Sequence, residues 1–178
     1  MTMLVLHEGL IPSSKVYKIC VLNNVEDINI LDTIFNKGIE LIKDNPDSLP
    51  FVTKYSNKGI IYEFLRNVVL YGEDDGYFLL SCFDKDEELV GASLVSWGSP
   101  WYAPTSISVI NEECTVAFKR GVGLARALAY VLEKSAKNRG FKLVMFSNAN
   151  LPNRKMLENT FEKHLGYSSY KTFYKEIE

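Results

Sequence analysis

Apolar positions recur along this chain at two different periods, and the places where one gives way to the other outline its elements. Over 23–45, NNVEDINILDTIFNKGIELIKDN, the residues Ile28, Leu31, Ile34, Ile39 and Leu41 fall near helical spacing, with acids early and Lys43 late, which predicts a helix. The stretch NPDSLPFVTKYSNKG reads as a loop by its Pro, Asn, Ser and Gly content. The helical period returns in IIYEFLRNVVLYG and should stop at Gly72. Two strand-like runs follow, GYFLLSCF and ELVGASLVSW, joined by DKDEE as a hairpin. A turn-rich insert, GSPWYAPTS, separates them from a third strand, ISVINEECTVAF. Leu124, Leu128, Val131 and Leu132 then mark an amphipathic helix ending at Gly140. KLVMFS is a short buried strand, and PNRKMLENTFEKHLG a helix with Pro152 near its start and Gly166 at its end. YSSYKTFYKEI closes the chain as a strand. With an early strand ahead of the first helix, this order predicts an α/β (α+β) chain: a mixed sheet with helices on both faces. Residues 1–178 are expected to form one domain, with 1–14 as an extra N-terminal piece.

Composition narrows the function classes. Apolar residues make up 47% and charged residues 24%, as in ordinary globular proteins. The net charge of -2 gives no basic surface for nucleic acid. No run of 18 apolar residues is present for a membrane span, and the start MTMLVLHEGLIPSSK lacks the basic flank of a signal peptide, so a cytoplasmic location is expected. Cys20, Cys82 and Cys114 sit in apolar strand-like runs and read as reduced core thiols. They lack metal-ligand spacing, and His7 and His164 stand alone, so no metal is expected.

The stretch KRGVGLARAL, residues 119–128, sets Gly121 and Gly123 at the mouth of a helix. Backbone donors there lack intrahelical partners and face the positive end of the dipole, which suits an anion such as phosphate. Lys119 and Arg120 add cations, although a tight turn without ligand has the same composition. A P-loop needs Lys-Ser/Thr after its last glycine, and here Leu124-Ala125 follows. A dinucleotide fingerprint needs a third small residue where Arg126 stands, and an acid after the next strand, which ends at Ser147-Asn148. The pattern R/Q-x-x-G-x-G/A is met in full by Arg120, Gly121, Val122, Gly123, Leu124 and Ala125.

That stretch resembles the acetyl-CoA-binding motif of the GCN5-related N-acetyltransferase (GNAT) superfamily. The likeness continues in NRKMLENTFEKHLGY, where Asn153 opens a helix that closes on a phrase like the family's Y-E-K-x-G-F. It spans residues 76–177, while 22–72 match only in their two-helix order. The resemblance implies a mostly antiparallel sheet with strands splayed apart near Val116 and Ser147. The pantetheine arm of acetyl-CoA would lie between them like an added strand, with its diphosphate on the amides of Arg120 to Ala125 and Asn153 reaching the arm. It further implies transfer of an acetyl group to an amine of a small molecule or protein by direct attack in a ternary complex. The same fold kept as a weak or silent binding module is the alternative. A homodimer is left open.

Acetyl transfer needs a deprotonated amine, a donor for the oxyanion, and help for the leaving thiolate. Glu112 and Glu113, on the strand before the motif, are the candidate catalytic residues, although a glutamate at a sheet end also simply faces water. Unbroken alternation would put Ile110, Glu112, Cys114 and Val116 on one face and Val109, Glu113 and Thr115 on the other. The family's carboxylate sits on the face of the strand's last valine, which favours Glu112. At the family's usual acid position, a tyrosine, this chain has Phe161, which cannot donate a proton. Trp97, Trp101 and Tyr102, around the insert, are candidate acceptor-site residues, either as an apolar lip for the substrate or as a plug over the core.

Overall fold

The computed structural model describes residues 3–44, 57–98, 108–146 and 159–168. Six strands lie side by side in chain order: β1 (Leu4–Glu8), β2 (Val16–Leu22), β3 (Tyr77–Asp84), β4 (Leu89–Gly98), β5 (Val109–Ala117) and β6 (Leu143–Phe146). Three helices accompany them among the described residues: α1 (Ile28–Asp44), α2 (Lys58–Asp75) and α3 (Leu124–Arg139). All neighbouring strands are antiparallel except β5 and β6, and α3 supplies the crossover that a parallel pair requires.

Helices cover both faces, as expected. On one face α1 and α2 bury Leu31, Ile34, Val68 and Val69 against Leu22, Leu79 and Ala92 of the sheet. On the other, α3 buries Leu128, Val131 and Leu132 against Leu80, Val90, Val95 and Ile110. Each such side chain contributes about 1.5–3 kcal/mol by leaving water, so the amphipathic stripe of α3 fixes which of its sides meets the sheet.

Three boundaries add to the sequence pattern or depart from it. The segment ahead of Ser14 contains β1, which pairs with β2 and forms the edge of the sheet. Helix α2 does not stop at Gly72 but runs on to Asp75, where Gly76 caps it at φ 73°. Gly72 serves packing instead: a Cβ there would lie 2.4 Å from the Tyr77 carbonyl oxygen. The predicted helix over 152–166 is described only from residue 159, where Thr160–His164 forms a π-helical turn. The predicted closing strand lies almost wholly outside the described residues.

The fourth departure matters most. Leu94 faces Cys114 while the next residue, Val95, faces Glu112, so Glu113 is an extra residue in β5. Such a bulge breaks the alternation of side chains. Before it, Ile110 and Glu112 stand opposite Trp97 and Val95 on the α3 face. Beyond it, Cys114 and Val116 stand opposite Leu94 and Ala92 on the α1/α2 face. The expected set of Ile110, Glu112, Cys114 and Val116 on one face is therefore split between the two. The cysteines divide accordingly: Cys20 and Cys82 are buried, whereas Cys114 is exposed and not a core thiol.

Candidate active site

Among the described residues, the ladder between β5 and β6 runs from Val109 to Glu112. From the bulge onward, no strand among the described residues pairs with 113–117 on that side. A strand edge of that kind suits an extended ligand. The same edge leads straight into the glycine turn.

Gly121 and Gly123 have φ of 71° and 72°, the left-handed region that side chains avoid. Their surroundings differ. A Cβ on Gly121 would meet nothing within 4 Å, whereas one on Gly123 would lie 2.7 Å from the Ser13 carbonyl oxygen and 3.0 Å from Ser14 Cα. Gly121 thus fronts open space, and Gly123 is where the N-terminal segment crosses the turn. That crossing is fastened at the Val122 carbonyl, which accepts from Ser14 Oγ at 3.0 Å and from the Lys15 amide at 2.8 Å. Val122 and Leu124 are buried, Ala125 is half-buried and Arg120 is exposed. Leu124 leans over Gly91, where a Cβ would come within 2.4 Å of it.

Helix α3 begins with no side-chain cap and no acid in its first turn, so its opening donors and dipole are available to an anion. Lys119 does not join Arg120 there. Its Nζ lies 2.8 Å from Glu88 Oε2 and 3.6 Å from Asp84 Oδ2, holding the β3–β4 turn. Beside the glycine turn, a cleft of about 280 Å³ runs between Pro12 and Ser13, Arg126 and Tyr130 of α3, and His164 and Leu165.

The two glutamates occupy opposite environments. Glu112 is 3% exposed, and Thr115 donates to its Oε1 at 2.7 Å. Glu113 is exposed, and Ser96 Oγ and Asn111 Nδ2 both donate to its Oε1, the latter at 2.8 Å. Ser96 and Asn111 are register partners on the α1/α2 face. Sequence reasoning missed both, and the signal it passed over was a polar run, Asn111-Glu112-Glu113, inside a strand. Two adjacent charged residues in a half-buried strand are hard to place without a bulge.

Trp97 packs against the core on the α3 side of the sheet. It stands opposite Ile110 on the α3 face, its ring 4.4 Å from Phe78 and 5.7 Å from Phe141, with the Arg139 guanidinium 4.2 Å over it. With Val95, Leu132 and Arg139 it lines a cavity of about 220 Å³ at the end of α3 away from the glycine turn. Trp101, Tyr102 and Asn153 lie outside the described residues. Phe161 packs between Phe146 and Tyr167, at 4.6 and 5.3 Å. Tyr167 donates to Glu133 Oε1 at 2.7 Å, and desolvation together with that bond pushes its hydroxyl well above the usual range. It is a poor proton donor in that state.

No family model matches this sequence, and no curated protein sequence matches it. Solved structures do. A GNAT family acetyltransferase of Staphylococcus aureus subsp. aureus USA300_TCH1516 aligns with a TM-score of 0.51 at 18% identity, over 89% of this chain and 98% of that one. The fold is that of the GNAT superfamily. A predicted acetyltransferase of Clostridium acetobutylicum, crystallised with acetyl-CoA, aligns at a TM-score of 0.58 and 12% identity over 89% of this chain and 94% of its own. A ribosomal-protein-alanine N-acetyltransferase of Brucella melitensis biovar Abortus 2308 aligns at 0.57 and 16% over 89% and 99%. At such identities only the fold carries over. Among the described residues, no helix is long and apolar enough to cross a membrane, and no three His, Cys, Asp or Glu side chains could share a metal ion.

Proposed function

We propose that this chain is an acetyl-CoA-dependent N-acetyltransferase that joins the acetyl group and an amine in one ternary complex. The observation that carries the reading is the continuity of three features. The exposed carboxylate of Glu113 stands at the bulge, the edge of 113–117, unpaired on that side among the described residues, follows it, and the glycine turn with its uncapped helix follows that.

The residues present fit acetyl-CoA. An amide-bearing pantetheine arm matches the strand edge beside Val116, which has no partner on that side among the described residues. A diphosphate matches the amides of Arg120, Gly121, Val122, Gly123, Leu124 and Ala125, with open space over Gly121. Asn153 is assigned to the arm by its place in the family's motif.

Glu113 takes a proton from the acceptor ammonium, and the freed lone pair attacks the thioester carbonyl carbon. A backbone N–H near the bulge stabilises the oxyanion. The C–S bond then breaks and its electron pair leaves on sulfur, which takes up a proton as the amide product loses one. The net products are the N-acetylated amine, CoA thiol and one released proton. Glu113 replaces Glu112 as the base because only Glu113 is exposed. Phe161 supplies no proton, so the thiolate leaves without that help.

A second reading, a GNAT-fold module that binds CoA with little turnover, draws on the aromatic cluster of Phe146, Phe161 and Tyr167, which leaves no free hydroxyl there. Release of CoA thiol from acetyl-CoA against a panel of amines separates the two. Calorimetry adds the binding step: Gly121→Glu should abolish acetyl-CoA binding in a folded protein, with Gly121→Ala as the control for backbone strain. Equal binding by wild type and Gly121→Glu overturns both readings.

A further inference from the structure

Glu113 is one end of a longer surface. Tyr77 on β3 is the register partner of Ser96, and Ser96 is the partner of Asn111, so the three form a row across the α1/α2 face. Neighbouring strands lie about 4.8 Å apart, which puts Tyr77 about 10 Å from the Asn111–Glu113 end. The Tyr77 ring meets Phe64 of α2 edge-on, centroids 5.9 Å apart.

Phe64 is 44% exposed although it is a large apolar ring. Helix α1 does not cover it. The residue two before it, Tyr62, faces α1, its hydroxyl donating to Asp32 at 2.6 Å and its ring 5.2 Å from Phe35. Two helical residues point about 160° apart, so Phe64 belongs to the opposite flank of α2. The hydrogen-bond donors to Glu113, Ser96 and Asn111, are neutral, and no Lys or Arg pairs with it among the described residues. The surface therefore has an anionic end, a neutral polar middle and an aromatic wall.

We infer that the acceptor is a primary amine carrying an aryl or similarly bulky apolar group two or three carbons from nitrogen, with no carboxylate beside the amine. This rests on the acetyl-transfer reading and names its substrate class. The ammonium forms a charge-assisted hydrogen bond of about 2.8 Å to Glu113. The rest of the span suits a short linker ending in a ring against Phe64 and Tyr77, where edge-to-face contact adds to burial. A free amino acid would bring its carboxylate against Glu113, and a short alkyl amine would leave the wall bare.

The test compares 2-phenylethylamine, ethylamine and phenylalanine as acceptors, using the full chain and acetyl-CoA. The expected result is a kcat/KM for 2-phenylethylamine at least tenfold above the other two. Phe64→Ala should remove most of that preference by raising KM, leave ethylamine unchanged, and be rescued by Phe64→Tyr. Equal use of the three amines, or a Phe64→Ala defect shared by all of them, overturns the inference while leaving acetyl transfer intact. If no amine is acetylated, the transfer reading fails, and calorimetry with 2-phenylethylamine decides the rest. Binding that weakens in Phe64→Ala and is lost in Glu113→Gln supports this ligand class, and absence of binding overturns it.

Discussion

Glu112 and Glu113 are neighbours in sequence and differ in almost everything else. One is buried under α3 and bonded to Thr115; the other is exposed on the α1/α2 side, between Ser96 and Asn111. Composition does not separate them, and neither does β-propensity. What separates them is one extra residue in β5 relative to β4. A buried carboxylate with a hydroxyl partner is a structural group, since leaving its partner unmatched would be costly. An exposed carboxylate held by two neutral donors is placed to meet a cation from outside.

The largest effect expected from this contrast is on turnover. Glu113→Gln should lower kcat/KM for the acceptor by about 10²–10⁴, the usual range for a lost general base, without lowering Tm. Glu112→Gln should keep turnover within a few-fold. Steady-state kinetics on the pair checks this, and a larger defect at Glu112 would mean that the base lies on the α3 face.

On stability the order reverses. Glu112→Ala removes a hydrogen-bonded buried carboxylate and should cost about 1.5–3 kcal/mol, several degrees in Tm for a chain of this length. Glu113→Ala should cost little, because water replaces its partners. Thermal melts of the two variants give the comparison directly.

A similar contrast between a held residue and a free one recurs at the glycine turn. Both glycines have positive φ, which costs a side chain about 1–2 kcal/mol. Gly121→Ala should lose only that much. Gly123→Ala should lose more, because its Cβ would strike the backbone of Ser13 and Ser14. Equal Tm losses would mean that the N-terminal segment gives way freely at the crossing.

The sequence pattern located β3, β4, β5, β6 and α3 to within a residue or two, because each carries a clean period bounded by glycine or charge. It located the glycine turn ahead of α3 for the same reason. It did not yield the bulge, because a register shift is a property of two strands and leaves only an awkward pair of acids in one of them. The roles of Ser96 and Asn111 were lost with it, since each matters only through the row it forms across β4 and β5. Trp97 could not be assigned to a face, because an aromatic before a turn looks the same whether it faces α3 or a cleft. The staple at Ser14 joins positions 108 residues apart, beyond the reach of any local pattern.

The smallest effect probes the register without touching activity. If alternation were unbroken, Cys114 would share the inward face of Glu112 and resist reagents as Cys20 and Cys82 do. With the bulge it is exposed, so one thiol of three should react with iodoacetamide in the native state. Reaction should nonetheless be slow near neutrality. Desolvation, and secondarily the charge of Glu112, pushes the Cys114 thiol up to about 11. Access sets whether the thiol reacts, and the thiolate fraction sets how fast, since only the thiolate attacks. A raised value lowers that fraction at every pH below it, so the rate should climb about tenfold per pH unit from pH 8 towards 10. Mass spectrometry of the labelled protein identifies the site. Labelling at Cys20 or Cys82 first, or no labelling until the protein unfolds, would place Cys114 in the core and overturn its exposure.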